Sequence, residues 1–140
     1  MKYLLIIAII VLSFNCQAGS LKTIADTKIL CQAAADSFGA GNAKESFQLL
    51  KKYWPLPPEE IENLSYQTES QLKMVSERFG RILGADFVDT KVAGTSFVKH
   101  TYIGKFEKHA IRYMCVFYKP KKEWVVNSII WDDQTAALFN

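Results

Sequence analysis

The chain has 140 residues, a length that suits a single domain. Hydrophobic residues make up 49% of it and aromatic residues 13%, which excludes an intrinsically disordered protein. The formal net charge is only +3 and the basic residues are spread along the chain, so a nucleic-acid-binding protein is not expected. The densest basic cluster, Lys119, Lys121 and Lys122 around Pro120, is typical of a solvated turn.

The N-terminus has the pattern of a secretory signal peptide. Lys2 provides a positive start, and an apolar run follows over residues 3–14. This run is too short to span a bilayer, which requires about 20 apolar residues. Cys16 and Ala18 occupy the two positions where a small residue is expected before a cut at Gly19.

The pattern therefore predicts a signal peptide over residues 1–18 and a periplasmic or secreted domain over residues 19–140. Two alternatives stay open. The apolar run could remain as an uncleaved anchor, or Cys16 could be lipidated. Phe14 and Asn15 fit poorly with the residues that normally precede a lipidated cysteine.

Cleavage would leave an even number of cysteines, Cys31 and Cys115, in an oxidising compartment. We expect a disulfide between them. By the chain-entropy model, a loop of this length is worth roughly 4–5 kcal/mol. The alternative is two buried free thiols, since cysteine packs well as a small hydrophobic residue.

Helices are predicted in the first part of this domain. Apolar residues recur at helical spacing from Leu21 to Phe38, and the segment 39–42, which contains two glycines, ends that helix. A second helix is predicted from Ala43 to Tyr53, ended by the prolines that follow it.

A third helical region follows the prolines. Pro58, with two glutamates after it, predicts a short helical turn. Thr68 to Gln71 fits a capping box, and a separate helix is predicted behind it that ends at Gly84.

After Gly84, β-branched and aromatic residues dominate and alternate with a period of two. Strands are predicted near Phe87–Val92, Ser96–Phe106, Ala110–Tyr118 and Trp124–Trp131. Helices followed by a meander of strands predict an α+β fold, with N-terminal helices packed on a curved, mainly antiparallel sheet of about four strands.

Two stretches, Arg112–Pro120 and Glu123–Asp132, carry an aromatic strand, a Lys-Pro turn, and a Trp followed by alternating apolar residues. This pattern resembles small exported bacterial members of the nuclear transport factor 2-like superfamily, the cystatin-like cone that includes SnoaL-like proteins. The resemblance covers roughly Leu21 to Asp133 and implies a pocket between the helices and a bent sheet. The superfamily includes isomerases, dehydratases, binding modules and assembly subunits, so it does not select a function. The Asp–His pair of many catalytic members is not matched here residue by residue.

A turn flanked by Phe106 and Ala110 would place Tyr102 opposite Met114. The predicted inner face then carries Lys99, Thr101, Ile103, Ile111, Tyr113, Cys115 and Phe117. The last strand is expected to add Val125, Asn127, Ile129 and Trp131.

Four residues of this inner face are predicted to bind a ligand: Thr101, Tyr113, Asn127 and Trp131. A mostly apolar cleft with a few placed polar groups is the usual form of a ligand site. The alternative is that these polar groups satisfy one another, or water, inside a filled core.

The opposite sheet face is predicted to form a homodimer. This face carries residue types that are common in interfaces: His100, Tyr102, Arg112, Met114 and Tyr118.

The sequence predicts no catalytic residue, no metal site and no cofactor. His100 and His109, the only histidines, lie too far apart along the predicted hairpin to share a metal. Cys115 and His100 fall on opposite predicted faces, which argues against a Cys–His nucleophile. Asp132 and Asp133 are adjacent on a strand and point opposite ways, so they are expected to solvate its end.

The predicted function is an exported, non-catalytic domain that binds a small apolar ligand or a protein partner, with no nucleic acid bound and no membrane span after cleavage. One alternative is a small pocket enzyme of the isomerase or lyase type, using His100 or a pocket Tyr and Asn. The other is an interaction subunit of an envelope assembly.

Overall fold

The computed structural model describes residues 20–140, so the predicted signal peptide over residues 1–18 lies outside the described residues. Within this range, three helices precede four strands and a short 3₁₀ helix. The elements are α1 (Ile24–Gly39), α2 (Ala43–Lys51), α3 (Pro58–Phe79), β1 (Ile82–Ala93), β2 (Phe97–Phe106), β3 (Ala110–Tyr118), β4 (Val125–Asp132) and the 3₁₀ helix (Thr135–Phe139). The strands form one antiparallel sheet in the order β1-β2-β3-β4. The predicted α+β fold is confirmed.

Helix α1 begins at a capping box and not at Leu21. The hydroxyl of Thr23 accepts from the backbone N–H of Asp26, and the Asp26 carboxylate accepts from the N–H groups of Thr23 and Lys22. These hydrogen bonds hold the pKa of Asp26 below its usual value, and the one from the backbone N–H of Thr23 has the largest effect. Leu21 is left outside the helix and forms an isolated antiparallel bridge with Trp124.

Helix α3 corrects two predictions. It is one helix of 22 residues with Pro58 in its first turn, so the predicted start at Thr68 is wrong. Thr68 is buried inside the helix, in a stripe with helical spacing that comprises Ile61, Ser65, Thr68 and Leu72. Two of these four residues are polar, so the buried stripe does not stand out as a run of apolar residues at helical spacing. The predicted end at Gly84 is also wrong, because Gly80 has a φ of +86° and ends the helix before β1.

The β2–β3 register differs from the prediction by one residue. Tyr102 pairs with Tyr113 and His100 pairs with Cys115, because the last paired residues before the turn are Lys105 and Ala110. A shift of one residue moves a whole strand's side chains to the other face. The helix-facing residues of β3 are those predicted, whereas the predicted faces of β2 are exchanged.

Strand β4 contains a bulge that changes two predicted positions. Val116 pairs with Ser128 and Phe117 with Val126, which leaves Asn127 unpaired. Asn127 is exposed, and Val125 pairs with Tyr118 on the sheet face that points away from the helices, so the predicted places of both on the inner face are wrong. Beyond the bulge the predicted alternation holds, and Ile129 and Trp131 pack against the core.

Helix α1 is fastened to the sheet at two places. Cys31 and Cys115 form a disulfide between α1 and β3 across a sequence separation of 84 residues, which confirms the predicted pair. At the end of α1, Gly39 lies so close to β1 that an added Cβ would come within 2.6 Å of the backbone nitrogen of Ala85. The core formed here includes the fully buried aromatic residues Phe38, Tyr102, Tyr113 and Phe117.

The C-terminal segment covers part of the sheet face that points away from the helices. The 3₁₀ helix lies against β3, and the Nζ of Lys91 donates to the backbone carbonyl of Asn140 at 2.8 Å. Thr101 and Met114, which lie on this outer face, are buried. In the described part of the chain, no helix is long and apolar enough to cross a bilayer.

Candidate ligand-binding cleft

A cleft of about 430 Å³ lies between the C-terminal half of α3 and the end of the sheet where β3 begins and β4 ends. Helix α3 packs against α2, and its residues 71–79 line the cleft. The cleft is lined by Gln71, Met74, Val75, Arg78, Phe79, His109, Ile111, Trp131, Asp132 and Asp133.

The floor of the cleft is apolar. Val75 and Phe79 are four residues apart on α3 and therefore lie on the same side of the helix. Ile111 and Trp131 come from the adjacent strands β3 and β4, on the face that points towards the helices. Trp131 also lies 6.0 Å from Phe38 between ring centroids, so the floor continues into the main core.

One wall of the cleft is an aromatic and cationic stack. The ring of His109, in the β2–β3 turn, stacks on Phe79 with the centroids 4.2 Å apart. The guanidinium carbon of Arg78 lies 4.8 Å from the centre of the same Phe79 ring. The turn itself is held by a hydrogen bond of 2.8 Å from the N–H of Phe106 to the carbonyl of His109.

The other wall carries two aspartates that differ in their hydrogen bonds and ion pairs. Asp132 accepts two hydrogen bonds from Arg112, at 2.7 and 2.8 Å, and one from the N–H of Gln134. The hydrogen bonds from Arg112 lower the pKa of Asp132. Asp133 is exposed, and no salt bridge to it occurs within residues 20–140. Asp133 is therefore the carboxylate at the cleft that is available to a ligand.

The four predicted ligand-binding residues are not brought together. Trp131 lines the cleft, but Tyr113 is buried beneath it with its hydroxyl 3.0 Å from that of Ser46. Burial raises the pKa of Tyr113. Thr101 lies on the outer face, and Asn127 is exposed at the β4 bulge.

The α3 side of the cleft was missed by sequence reasoning. The spacing of Val75 and Phe79 predicts a helix, but it does not identify which of its apolar residues lack a packing partner. Ile111 was placed on the inner face correctly, although not as a ligand contact. His109 was placed in the turn, and only the three-dimensional stack with Phe79 brings it to the cleft.

Two residues of the predicted dimer face are inside the protein instead. His100 and Tyr102 are fully buried between the sheet and α1, as the one-residue register shift requires. Arg112, Met114 and Tyr118 do lie on the outer face, but Met114 is buried there.

His100 has hydrogen-bond partners for both ring nitrogens, each 2.8 Å away: Thr27 at Nε2 and Thr90 at Nδ1. The hydroxyl of Thr27 donates its proton to the carbonyl of Ile24, so its oxygen accepts from Nε2–H. Nδ1 then accepts from the Thr90 hydroxyl, and the ring is neutral. Burial, with a smaller effect from the charge of Lys28, lowers the pKa of His100 to about 4.

The hydroxyl of Tyr102 also has a partner inside the protein: it donates to the side-chain oxygen of Gln32 at 3.1 Å. Burial, with a smaller effect from Asp36, raises the pKa of Tyr102 to about 12. Within residues 20–140, no cluster of three or more His, Cys, Asp or Glu side chains is arranged to hold a metal ion.

Comparisons of the chain with protein-family models, with curated proteins and with solved structures give no match.

Proposed function

We propose that this protein is an exported, non-catalytic binding domain that takes a small apolar ligand in the cleft between α3 and the sheet. The observation that carries the proposal is the apolar floor of the cleft, built from Val75, Phe79, Ile111 and Trp131. Its volume of about 430 Å³ lies within the usual range for small-molecule sites, and a few polar groups surround a mostly apolar surface, as such sites require.

The chemistry of the walls favours a flat apolar ligand with one polar end. Trp131 on β4 and Phe79 on α3 both provide aromatic surface to the cleft. Asp133 and Arg78 offer a carboxylate and a guanidinium at its rim, so either a hydroxyl or an amide on the ligand would find a partner.

The enzyme alternative has less support. Of the groups that it would use, His100 and Tyr113 are buried, have hydrogen-bond partners inside the protein and do not line the cleft. Asn127 is exposed at the β4 bulge and does not line the cleft either. A general acid or base must reach the proton that it moves.

Export is supported by the disulfide, because such bonds persist in oxidising compartments. A periplasmic or secreted location is therefore part of this proposal. Membership of the nuclear transport factor 2-like superfamily stays a prediction. Helices packed on a sheet, with a cleft between them, are compatible with it.

A homodimer, or a place in an envelope assembly, also stays a prediction. The loss of His100 and Tyr102 from the outer face weakens the case for that surface. A sizing experiment at micromolar concentration checks the homodimer, and a single monomer peak contradicts it.

The ligand proposal is tested with N-phenyl-1-naphthylamine, a neutral apolar probe whose fluorescence rises in apolar surroundings. We expect saturable binding, which Met74→Arg lowers at least tenfold in affinity because it places a charged side chain across the cleft. Tyr66→Arg is the matched control: both residues are exposed on α3, with 64% and 71% of their surface accessible, but Tyr66 does not line this cleft.

Near-ultraviolet circular dichroism of both variants checks that the fold is retained. Equal affinity of the two variants for the probe, or no saturation for the wild type, would contradict the proposal. Native mass spectrometry of protein purified from the periplasm adds a second readout, since a retained small molecule appears as added mass.

A further inference from the structure

Lysines converge at the end of the sheet opposite the cleft, where β3 ends and β4 begins. We call this surface the basic end; its lysines are Lys22, Lys52, Lys119, Lys121 and Lys122. Trp124 organises it. The backbone N–H of Trp124 donates to the carbonyl of Leu21 at 2.8 Å, the Nζ of Lys119 lies 5.1 Å from the centre of the Trp124 ring, and Trp124 shares a surface concavity with Lys52.

The positive charge of the basic end is not neutralised locally. Within residues 20–140, none of its five lysines takes part in a salt bridge. Glu123, between Lys122 and Trp124, is exposed, and the oxygens of Asp26 accept the backbone N–H groups of the α1 cap. The five lysines are therefore not held in ion pairs within the described residues.

Exposed aromatic residues lie beside these lysines. Phe97 and Tyr118 pack with their ring centroids 5.1 Å apart, and both remain exposed. A hydrogen bond of 2.8 Å from the N–H of Lys119 to the carbonyl of Ser96 joins their two turns. Aromatic rings beside lysines are the combination found at the headgroup level of membranes.

The chain enters the domain at the basic end. Ser20 and Leu21 line the same concavity as Lys52 and Trp124. The apolar run over residues 3–14 lies six residues upstream of Ser20. Six extended residues reach at most about 20 Å, so under the alternative of an uncleaved anchor the basic end is within reach of the headgroups. After cleavage before Gly19, the lysines and the aromatic residues beside them carry the contact alone.

We infer that the basic end docks on the anionic headgroups of a phospholipid bilayer. Clustered surface lysines attract anionic lipids, and the attraction weakens with salt. This inference does not depend on the proposed ligand function, because the cleft lies at the other end of the sheet. It also replaces the interpretation of Lys119, Lys121 and Lys122 as a merely solvated turn.

The test is co-sedimentation of the full chain with vesicles of phosphatidylcholine alone or mixed with phosphatidylglycerol. We expect binding to the mixed vesicles that falls between 50 and 300 mM salt. Each lysine near an anionic surface contributes roughly a fivefold factor in affinity, so the variant K119Q/K121Q/K122Q should bind roughly a hundredfold more weakly.

The matched control is K44Q/K73Q/K108Q, which removes three exposed lysines outside the basic end and should change the affinity by less than threefold. All variants keep the same residues 1–19, so the N-terminal run contributes equally to each. Equal binding by the two triple variants, equal binding to both vesicle types, or displacement from the vesicles by an acidic polypeptide at stoichiometric concentration overturns the inference. Binding of N-phenyl-1-naphthylamine should be unchanged in K119Q/K121Q/K122Q, which keeps this result separate from the cleft.

Discussion

His100 makes the stability of the domain depend on pH between about 7 and 4. In the folded state its pKa is about 4, against 6.5 for an unperturbed histidine. Because the folded state disfavours the proton, the unfolded state binds it first as the pH falls below 6.5. Stability is therefore full above about pH 6.5, falls as the pH decreases towards 4, and changes no further through this group below that value.

The size of the effect follows from the two pKa values. At pH 5 the unfolded histidine is almost fully protonated while folded His100 is largely neutral, which lowers the free energy of unfolding by about 2 kcal/mol relative to pH 7. Full burial and two hydrogen bonds that fix the neutral ring are the structural cause. Asp26 and Asp132, whose pKa values are also lowered, lose their contribution only as the pH falls below about 4 to 5, so they do not contribute to the difference between pH 7 and pH 5.

The assay is urea unfolding at pH 7 and pH 5, with the free energy extrapolated to water. The wild type should lose about 2 kcal/mol between the two conditions. His100→Gln retains an amide that can donate to Thr27 but does not titrate. The free energy of unfolding of this variant should therefore differ by less than about 0.5 kcal/mol between pH 7 and pH 5. His109→Gln, the control at the only other histidine, should keep the wild-type difference. A wild type that is equally stable at both pH values, or a difference that disappears in His109→Gln, refutes the reasoning.

Two further predictions concern how α1 is held. Replacing Cys31 and Cys115 together by Ala should lower the free energy of unfolding by roughly 2–5 kcal/mol, measured by urea unfolding at pH 7; a loss below about 1 kcal/mol would contradict a stabilising bridge. Gly39→Ala should cost about 1–3 kcal/mol in the same assay, because its Cβ would meet the backbone of Ala85 at 2.6 Å. Ala at an exposed helical position such as Gln48 is the control and should change stability by less than about 0.5 kcal/mol.

The parts of the fold that periodicity determines were predictable, and the parts that depend on single-residue geometry were not. Alternation with a period of two places β2 to β4 almost at their observed bounds. The pairing register depends on whether the β2–β3 turn starts after Lys105 or Phe106, which no residue pattern in the turn decides. The bulge at Asn127 is set by pairing with β3 and leaves no mark in the sequence of β4.

The candidate site depends on these undetermined features. The one-residue shift takes Thr101 out of the core and puts His100 and Tyr102 into it. Both have polar partners on α1, Thr27 and Gln32, so the core closes there without an opening. The cleft lies instead beside the last part of α3, where residues 71–79 line it. A helix was predicted over this segment, but periodicity does not show which of its apolar residues stay open to a ligand.

The cleft and the basic end should act independently, because they lie at opposite ends of the strands. Strand β3 has nine residues and spans roughly 30 Å, well beyond the distance at which substitutions usually couple. Met74→Arg should therefore leave the vesicle affinity within twofold of that of the wild type. Saturating the wild type with N-phenyl-1-naphthylamine should also change its vesicle affinity by less than twofold. Since coupling between two binding sites is reciprocal, a shift of the vesicle affinity by the probe would have to appear as an equal shift of the probe affinity by vesicles. A matched pair of shifts of fivefold or more would contradict independence. It would mean that α1 and β3, fastened together by the disulfide, transmit a change of structure between the two ends.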